Sequence, residues 1–345
     1  MIAVLIAAVA GGALAGWTLT GAALRYGLAR GILDRPNERS SHVVPTPLGG
    51  GWGIVIPVIG ALAWARSLGW LDLATAWGLA GGGVVVALIG WIDDRVGLSA
   101  WVRLLVQVAA ASWLVGWLGG YDALNVGVAR LPIGPFGSAL AVLAIVWCTN
   151  LYNFMDGIDG IAGLEAVCVG SMGGALLLMS GANGLALIAL VTAAASAGFL
   201  VWNRPPARIF MGDVGSGFLG FLFAGLAIAG DHAGAVPALV WVLLLGGFVS
   251  DATVVLLRRL AQRERWYSAH RTHLYQRLVQ GGWSHGRVDR ALIGLNIVLM
   301  LLGAAAWRWR AFLPWALAAG GILMAVAYVS AERRLPLSSS PGQPS

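Results

Sequence analysis

Five carboxylates in this chain have neighbours and spacings that chemistry can use. Asp156 and Asp159 lie three residues apart in Asn150-Leu-Tyr-Asn-Phe-Met-Asp-Gly-Ile-Asp-Gly160, between two long apolar runs. Asp93 and Asp94 are adjacent, ahead of Arg95, and Asp213 follows Gly212 in Arg208-Ile-Phe-Met-Gly-Asp-Val-Gly-Ser-Gly217. If helical, Asp156 and Asp159 share a face; if in a turn, the glycines let the backbone fold back on itself. Clustered carboxylates repel one another unless a cation offsets them. Mg²⁺ is held by one or two carboxylates plus substrate phosphates, whereas no Cys or His spacing here suits zinc. Two more polar stretches accompany them. One runs from Asp34 to His42 and on through Pro45-Thr-Pro-Leu-Gly-Gly-Gly51. The other is Arg258 to His285, with His270-Arg271-Thr272-His273 inside it. Carboxylates, arginines, histidines and glycine turns in one chain suggest metal-assisted chemistry on a phosphate ester.

Each cluster also has a structural explanation. Asp156, Asp159 and Asp213 stand where helix N-caps are common. Asp93-Asp94 could close a helix in water, although acids at a helix C-terminus oppose its dipole. The histidines could be solvated interfacial residues, and the arginines after residue 257 a topology signal alone. It is the set, in a chain with only 15 acids, that favours a site.

The elements that must position these residues are membrane helices. The chain has 345 residues, 59% of them hydrophobic and 11% charged, with mean hydropathy +0.80. Soluble domains are about 45–50% apolar and about 25% charged. Apolar runs occur at about 1–24, 49–68, 76–92, 101–118, 136–152, 158–179, 183–202, 213–229, 235–257, 289–306 and 311–329. Several approach the ~20 residues that span a bilayer, and those of about 17 sit at the lower limit. The expectation is an all-α, polytopic membrane helix bundle of about 11 transmembrane helices. It forms a single domain over 1–334, and the Ser/Pro-rich stretch 335–345 reads as a disordered tail.

Charge gives the orientation. The first arginine, Arg25, follows the first apolar run, which therefore reads as a membrane helix and not as a signal peptide. With the N-terminus outside and spans alternating, only Arg66, Arg130, Arg308 and Arg310 of the 22 basic residues, all arginine, fall outside. The C-terminus and every polar cluster then face the cytoplasm. A net charge of +7 in such a chain is a topology signal and does not imply nucleic acid as a partner. Cys148 and Cys168 both lie in apolar runs and read as small core residues.

The motifs together resemble a known family. Asn150-x-x-Asn153-x-x-Asp156-Gly-x-Asp159-Gly, Asp93-Asp94, Phe210-Met-Gly-Asp213-x-Gly-Ser and His270-x-x-His273 look like those of the polyprenyl-phosphate N-acetylhexosamine-1-phosphate transferases, over about Asp34 to Arg287. The resemblance implies transfer of a sugar-1-phosphate from a UDP-N-acetylhexosamine to undecaprenyl phosphate in a bacterial inner membrane, with Mg²⁺ as cofactor (Mn²⁺ being an alternative). It implies that Asp213 is a metal ligand with Asn153 beside it. Asp93, supported by Asp94, matches the acid that takes the acceptor's proton. Phe210 matches an aromatic that stacks on uracil, and Asp159 and Gly212 match positions near the nucleoside. Asp156 falls near metal and diphosphate, and His270, Arg271 and His273 in the histidine motif near the diphosphate. A homodimer is compatible with it.

Two positions depart from many family members: Leu274 stands where a further His is common, and Val43 and Val44 precede the Pro-Thr-Pro turn where Lys is common. The first departure, with the glycine-rich Pro45-Thr-Pro-Leu-Gly-Gly-Gly51 and with Asp251 followed by Arg258-Arg259, resembles the branch that initiates O-antigen or common-antigen synthesis and argues against the muropeptide transferase. From the residues alone, a secondary transporter is the rival reading, although its ionisable groups belong near the midplane on repeated, broken helices.

Overall fold

Helix α8 (Asp213–His232) runs through the middle of the molecule, with every residue from Val214 to Asp231 buried. An apolar helix that is buried all round must be the core of its bundle. The structure is a computed structural model that describes residues 1–34, 44–262 and 272–334. Around α8 stand α3 (Leu73–Val96), α5 (Phe136–Met155), α2 (Trp52–Ser67) and the short α9 (Ala238–Leu244). Helix α1 (Ile2–Arg30) packs on α2 and on α7 (Asn183–Asn203), and α7 on α6 (Ile161–Met179). Helix α4 (Ala100–Trp117) lies between α3 and α5. Two antiparallel strand pairs, β1–β2 (Leu33–Asp34 with Thr46–Pro47) and β3–β4 (Ala123–Asn125 with Arg130–Pro132), are the only sheet among the described residues.

Each of the eleven apolar runs falls on helix. Among the described residues, nine helices are long and apolar enough to cross a membrane, and a bent pair makes a tenth if taken as one span. The remaining run is α2, whose 16 residues reach about 24 Å, short of a full hydrocarbon core. The run read as one helix over 235–257 is broken: α9 and α10 (Gly246–Ala261) meet at 85°. Gly246-Gly247 follow the break, a pair of the kind that marks sharp kinks.

Close helix crossings set the geometry of one end of the bundle. A Cβ on Gly90 of α3 would lie 2.4 Å from the Asp213 carbonyl oxygen, and one on Gly220 of α8 would lie 2.3 Å from that of Cys148 in α5. Small residues at membrane helix crossings let backbones approach this closely. Helix α3 therefore delivers its C-terminal acids to the N-terminus of α8, and α5 delivers its own C-terminus beside them.

The last helices close the other flank. Helix α11 (Leu274–Gln280) leads into α12 (His285–Arg308), which packs on α6, α9 and α13 (Leu313–Arg334). Near the end of α13, Glu332 pairs with Arg258 of α10, and it lies 3.2 Å from Arg277 of α11.

Candidate active site

Asp94, at the C-terminal end of α3, accepts the backbone N–H of Asp213 at 3.0 Å and that of Val214 at 3.5 Å. It caps α8 from another helix, satisfying N–H groups that have no partner within α8. Gly212 makes this approach feasible: its φ is +73°, and a Cβ there would lie 2.5 Å from Asp94 Oδ2. The cap that Asp213 offered in the sequence is thus supplied by Asp94, and the Asp213 carboxylate is left for other partners.

Arg103, on the first turn of α4, joins this group. Its Nη1 donates to Asp93 Oδ2 at 2.5 Å and lies 3.5 Å from Asp213 Oδ2. Asp93 Oδ1 also accepts the Leu98 N–H at 2.5 Å, which fixes the carboxylate in the turn between α3 and α4. Charge-assisted bonds of this kind are the strong ones. Asn153, on α5, donates to Ser216 Oγ at 3.1 Å, and Asn150 donates to Gln107 Oε1 at 2.6 Å. Asp213, Asn153, Asn150, Arg103, Gln107 and Thr149 line a cavity of about 30 Å³, room for a guest of about the size of one water.

The donors around that cavity are oxygens and amides, which suit a hard cation. Among the described residues no three His, Cys, Asp or Glu side chains converge at metal-binding distance. One carboxylate from Asp213 and the Asn153 carbonyl fit Mg²⁺ all the same, because that ion leaves its other positions to phosphate and water.

The opening motif forms the adjoining floor. Asp156 is the C-cap of α5, and Gly160, at φ +88°, is the N-cap of α6, so neither Asp156 nor Asp159 caps α6. Burial pushes the Asp156 carboxyl well above the usual carboxylate range, and the charges of Asp213, Asp94 and Asp159 push the same way. Asp159 Oδ2 accepts the Ala207 N–H at 3.0 Å and lies 3.3 Å from His285 Nδ1. Asn203 stitches the turn to the next motif: its Oδ1 accepts the Gly160 N–H at 3.0 Å and its Nδ2 donates to the Ile209 carbonyl at 2.9 Å. Phe210 is half-buried. Its N–H donates to the Pro47 carbonyl at 2.8 Å, and its own carbonyl accepts the Gly50 N–H at 2.9 Å. The Pro-Thr-Pro turn is therefore bonded directly to the Phe210-Met-Gly-Asp213 segment.

His273 is buried, stacked between Phe154 and Tyr275, with Nδ1 3.6 Å from Asp251. Tyr275 donates to the Phe154 carbonyl at 3.0 Å, holding α11 against the end of α5. His270 and Arg271 lie outside the described residues, as does the stretch 335–345. Asp93, Asp94, Asp213, Asn153 and Arg103 thus form one group, and Asp159, Gly160, Asn203 and Ala207 a second, with Asp156 between them. Sequence reasoning missed Arg103, Asn203 and the contact of His285 with Asp159. Their signals were faint: a lone arginine and asparagine at helix ends, and a histidine that the chain separates widely from its partner.

The comparisons agree with this architecture. The model of glycosyl transferase family 4 matches residues 76–231, which hold Asp93, Asp94, Asp156, Asp159 and Asp213. A probable undecaprenyl-phosphate N-acetylglucosaminyl 1-phosphate transferase of Bacillus subtilis is 31% identical over 76% of this chain and 73% of its own length. A decaprenyl-phosphate N-acetylglucosaminephosphotransferase of Mycobacterium tuberculosis is 33% identical over 80% of this chain and 76% of its own. A phospho-N-acetylmuramoyl-pentapeptide-transferase of a Synechococcus strain is 34% identical over 64% and 68%. Bundle and relatives together define a multi-pass membrane transferase. The chain belongs to glycosyl transferase family 4, as one of the polyprenyl-phosphate N-acetylhexosamine-1-phosphate transferases.

Proposed function

We propose that the protein transfers N-acetylhexosamine-1-phosphate from a UDP-sugar to undecaprenyl phosphate and releases UMP. The reaction would start a lipid-linked O-antigen or related envelope polysaccharide at the cytoplasmic face of the bacterial inner membrane. The observation that carries this reading is the meeting of Asp93, Asp94 and Asp213 around Arg103, next to the Asp156–Gly160 turn, in a chain with these relatives. A transporter would place its acids near the midplane; these acids sit at helix ends.

In this reading an oxygen of the lipid phosphate attacks the sugar-bearing phosphorus, and the bond to UMP breaks. Both reactants are anionic, so their repulsion must be offset before in-line attack. Arg103 supplies a guanidinium already held between two carboxylates, from which a phosphate can draw it. A phosphate oxyanion is a nucleophile at neutral pH, so Asp93 orders the acceptor and takes any residual proton. Asp213 and Asn153 would hold Mg²⁺ or Mn²⁺, which when bound neutralises phosphate charge. Asp156 would lie beside metal and diphosphate, and His270 and Arg271, outside the described residues, would contribute to the diphosphate as their motif implies. Asp159, Gly212 and Phe210 receive the nucleoside, and His273 backs the floor. A homodimer is compatible with this arrangement.

The test is exchange of radiolabelled UMP into a panel of UDP-N-acetylhexosamines, with purified protein and undecaprenyl phosphate. Exchange with at least one donor, abolished by EDTA and restored by Mg²⁺ or Mn²⁺, is expected. No exchange with any donor by folded protein would overturn the reading.

A further inference from the structure

We propose that His285 is a positioning residue for nucleoside recognition, acting through Asp159; this rests on the reading above that Asp159 faces the nucleoside. His285 opens α12, more than a hundred residues after the motif it touches. Its Nδ1 lies 3.3 Å from Asp159 Oδ2 and 3.4 Å from the Asp159 backbone nitrogen. A protonated Nδ1 donates to the carboxylate, and an unprotonated one accepts the backbone N–H. Either way the imidazole grips the same residue. The Ala207 N–H fixes the same Oδ2 at 3.0 Å from the other side. Two partners on one oxygen set the direction of the carboxylate.

Asp289, one helical turn further along α12, extends the contact. It is 5% exposed, and its Oδ2 would lie 2.9 Å from a Cβ on Gly160, so the Asp159-Gly160 corner has no room for a side chain. One face of α12 thus presents His285 to Asp159 and Asp289 to Gly160, because residues four apart share a helix face. The arrangement also ties the nucleoside end of the site to the segment that carries α11. A carboxylate that reads a ring N–H must be held in direction, since a binding group misplaced by about 1 Å loses much of its effect.

UMP alone is the probe, because it contains the nucleoside and one phosphate and needs neither sugar nor lipid. In protein reconstituted in lipid nanodiscs, His285→Ala should weaken UMP about tenfold, the scale of one hydrogen bond to a charged group. His285→Asn, whose Nδ2 can take the place of imidazole Nδ1, should recover most of that loss, and the KM for undecaprenyl phosphate should not move. If His285→Ala does not fold, His285→Gln, whose nitrogen lies further out, replaces it in the comparison. Unchanged UMP affinity, an Asn variant no better than Ala, or an equal loss for the lipid acceptor would each overturn the proposal. Asp159→Asn separates the two layers: if it also leaves UMP binding intact, the nucleoside reading of Asp159 fails; if it alone weakens UMP, only the role of His285 fails.

Discussion

Asp94 accepts the backbone N–H of Asp213 at 3.0 Å, so one acid of the site caps the helix that the other begins. The two roles of Asp94, cap and charge, can be separated by substitution. Asp94→Asn keeps an acceptor oxygen and should unfold within a degree or two of the parent. Asp94→Ala removes it and should cost about 1 kcal/mol, as helix caps generally do. Thermal unfolding in detergent tests the difference. If both variants lose UMP exchange, the charge matters beyond the cap.

Arg103 should be the most consequential residue outside the acidic motifs. Arg103→Ala removes the donor between Asp93 and Asp213 and should lower UMP exchange about 100-fold, the effect of losing one preorganised donor. Arg103→Lys should recover only part of this, because an ammonium cannot reproduce the guanidinium fork. Initial rates at saturating donor are the measurement; rates within twofold of the parent would remove Arg103 from the mechanism.

The crossing of α3 and α8 leaves no space for a methyl group. Gly90→Ala meets the Asp213 carbonyl at 2.4 Å and should destabilise the bundle by about 1–3 kcal/mol, the usual range for overpacking. Gly60 of α2, which has nothing within 4 Å of a Cβ, is the control, and Gly60→Ala should not lower the unfolding temperature.

Asp156 supplies a pH dependence. Its folded-state carboxyl is held well above the usual range by burial and by neighbouring acids. A raised acid favours the folded state while protonated, and that stability is lost as pH climbs from the ordinary carboxylate range through the folded value. In EDTA the parent should therefore lose stability as pH rises from about 4 towards neutrality, and Asp156→Asn should flatten the curve. Parallel curves for the two proteins would refute the assignment.

Much of this was legible in the sequence. The eleven apolar runs became helices, and the carboxylate motifs came together at one end of the bundle because helix ends carried them. What could not be read were relationships between distant stretches. That Asp94 caps α8 depends on how closely Gly90 lets two helices cross, which no local pattern encodes. Arg103 resembles any charge at a helix start until α3, α4 and α8 are placed together. The bend before Gly246 was hidden because both halves of the broken helix are apolar, and hydropathy does not register a change of axis. The strand pair β3–β4 was missed in a short, mixed-polarity loop.

Glu332 offers a last consequence. It binds Arg258 on one side and Arg277 on the other, so α13 fastens the chain just before and just after the stretch that contains His270 and Arg271. One carboxylate thereby joins α10, α11 and α13, and its removal would take from two arginines, nineteen positions apart in the chain, the acid that both of them share.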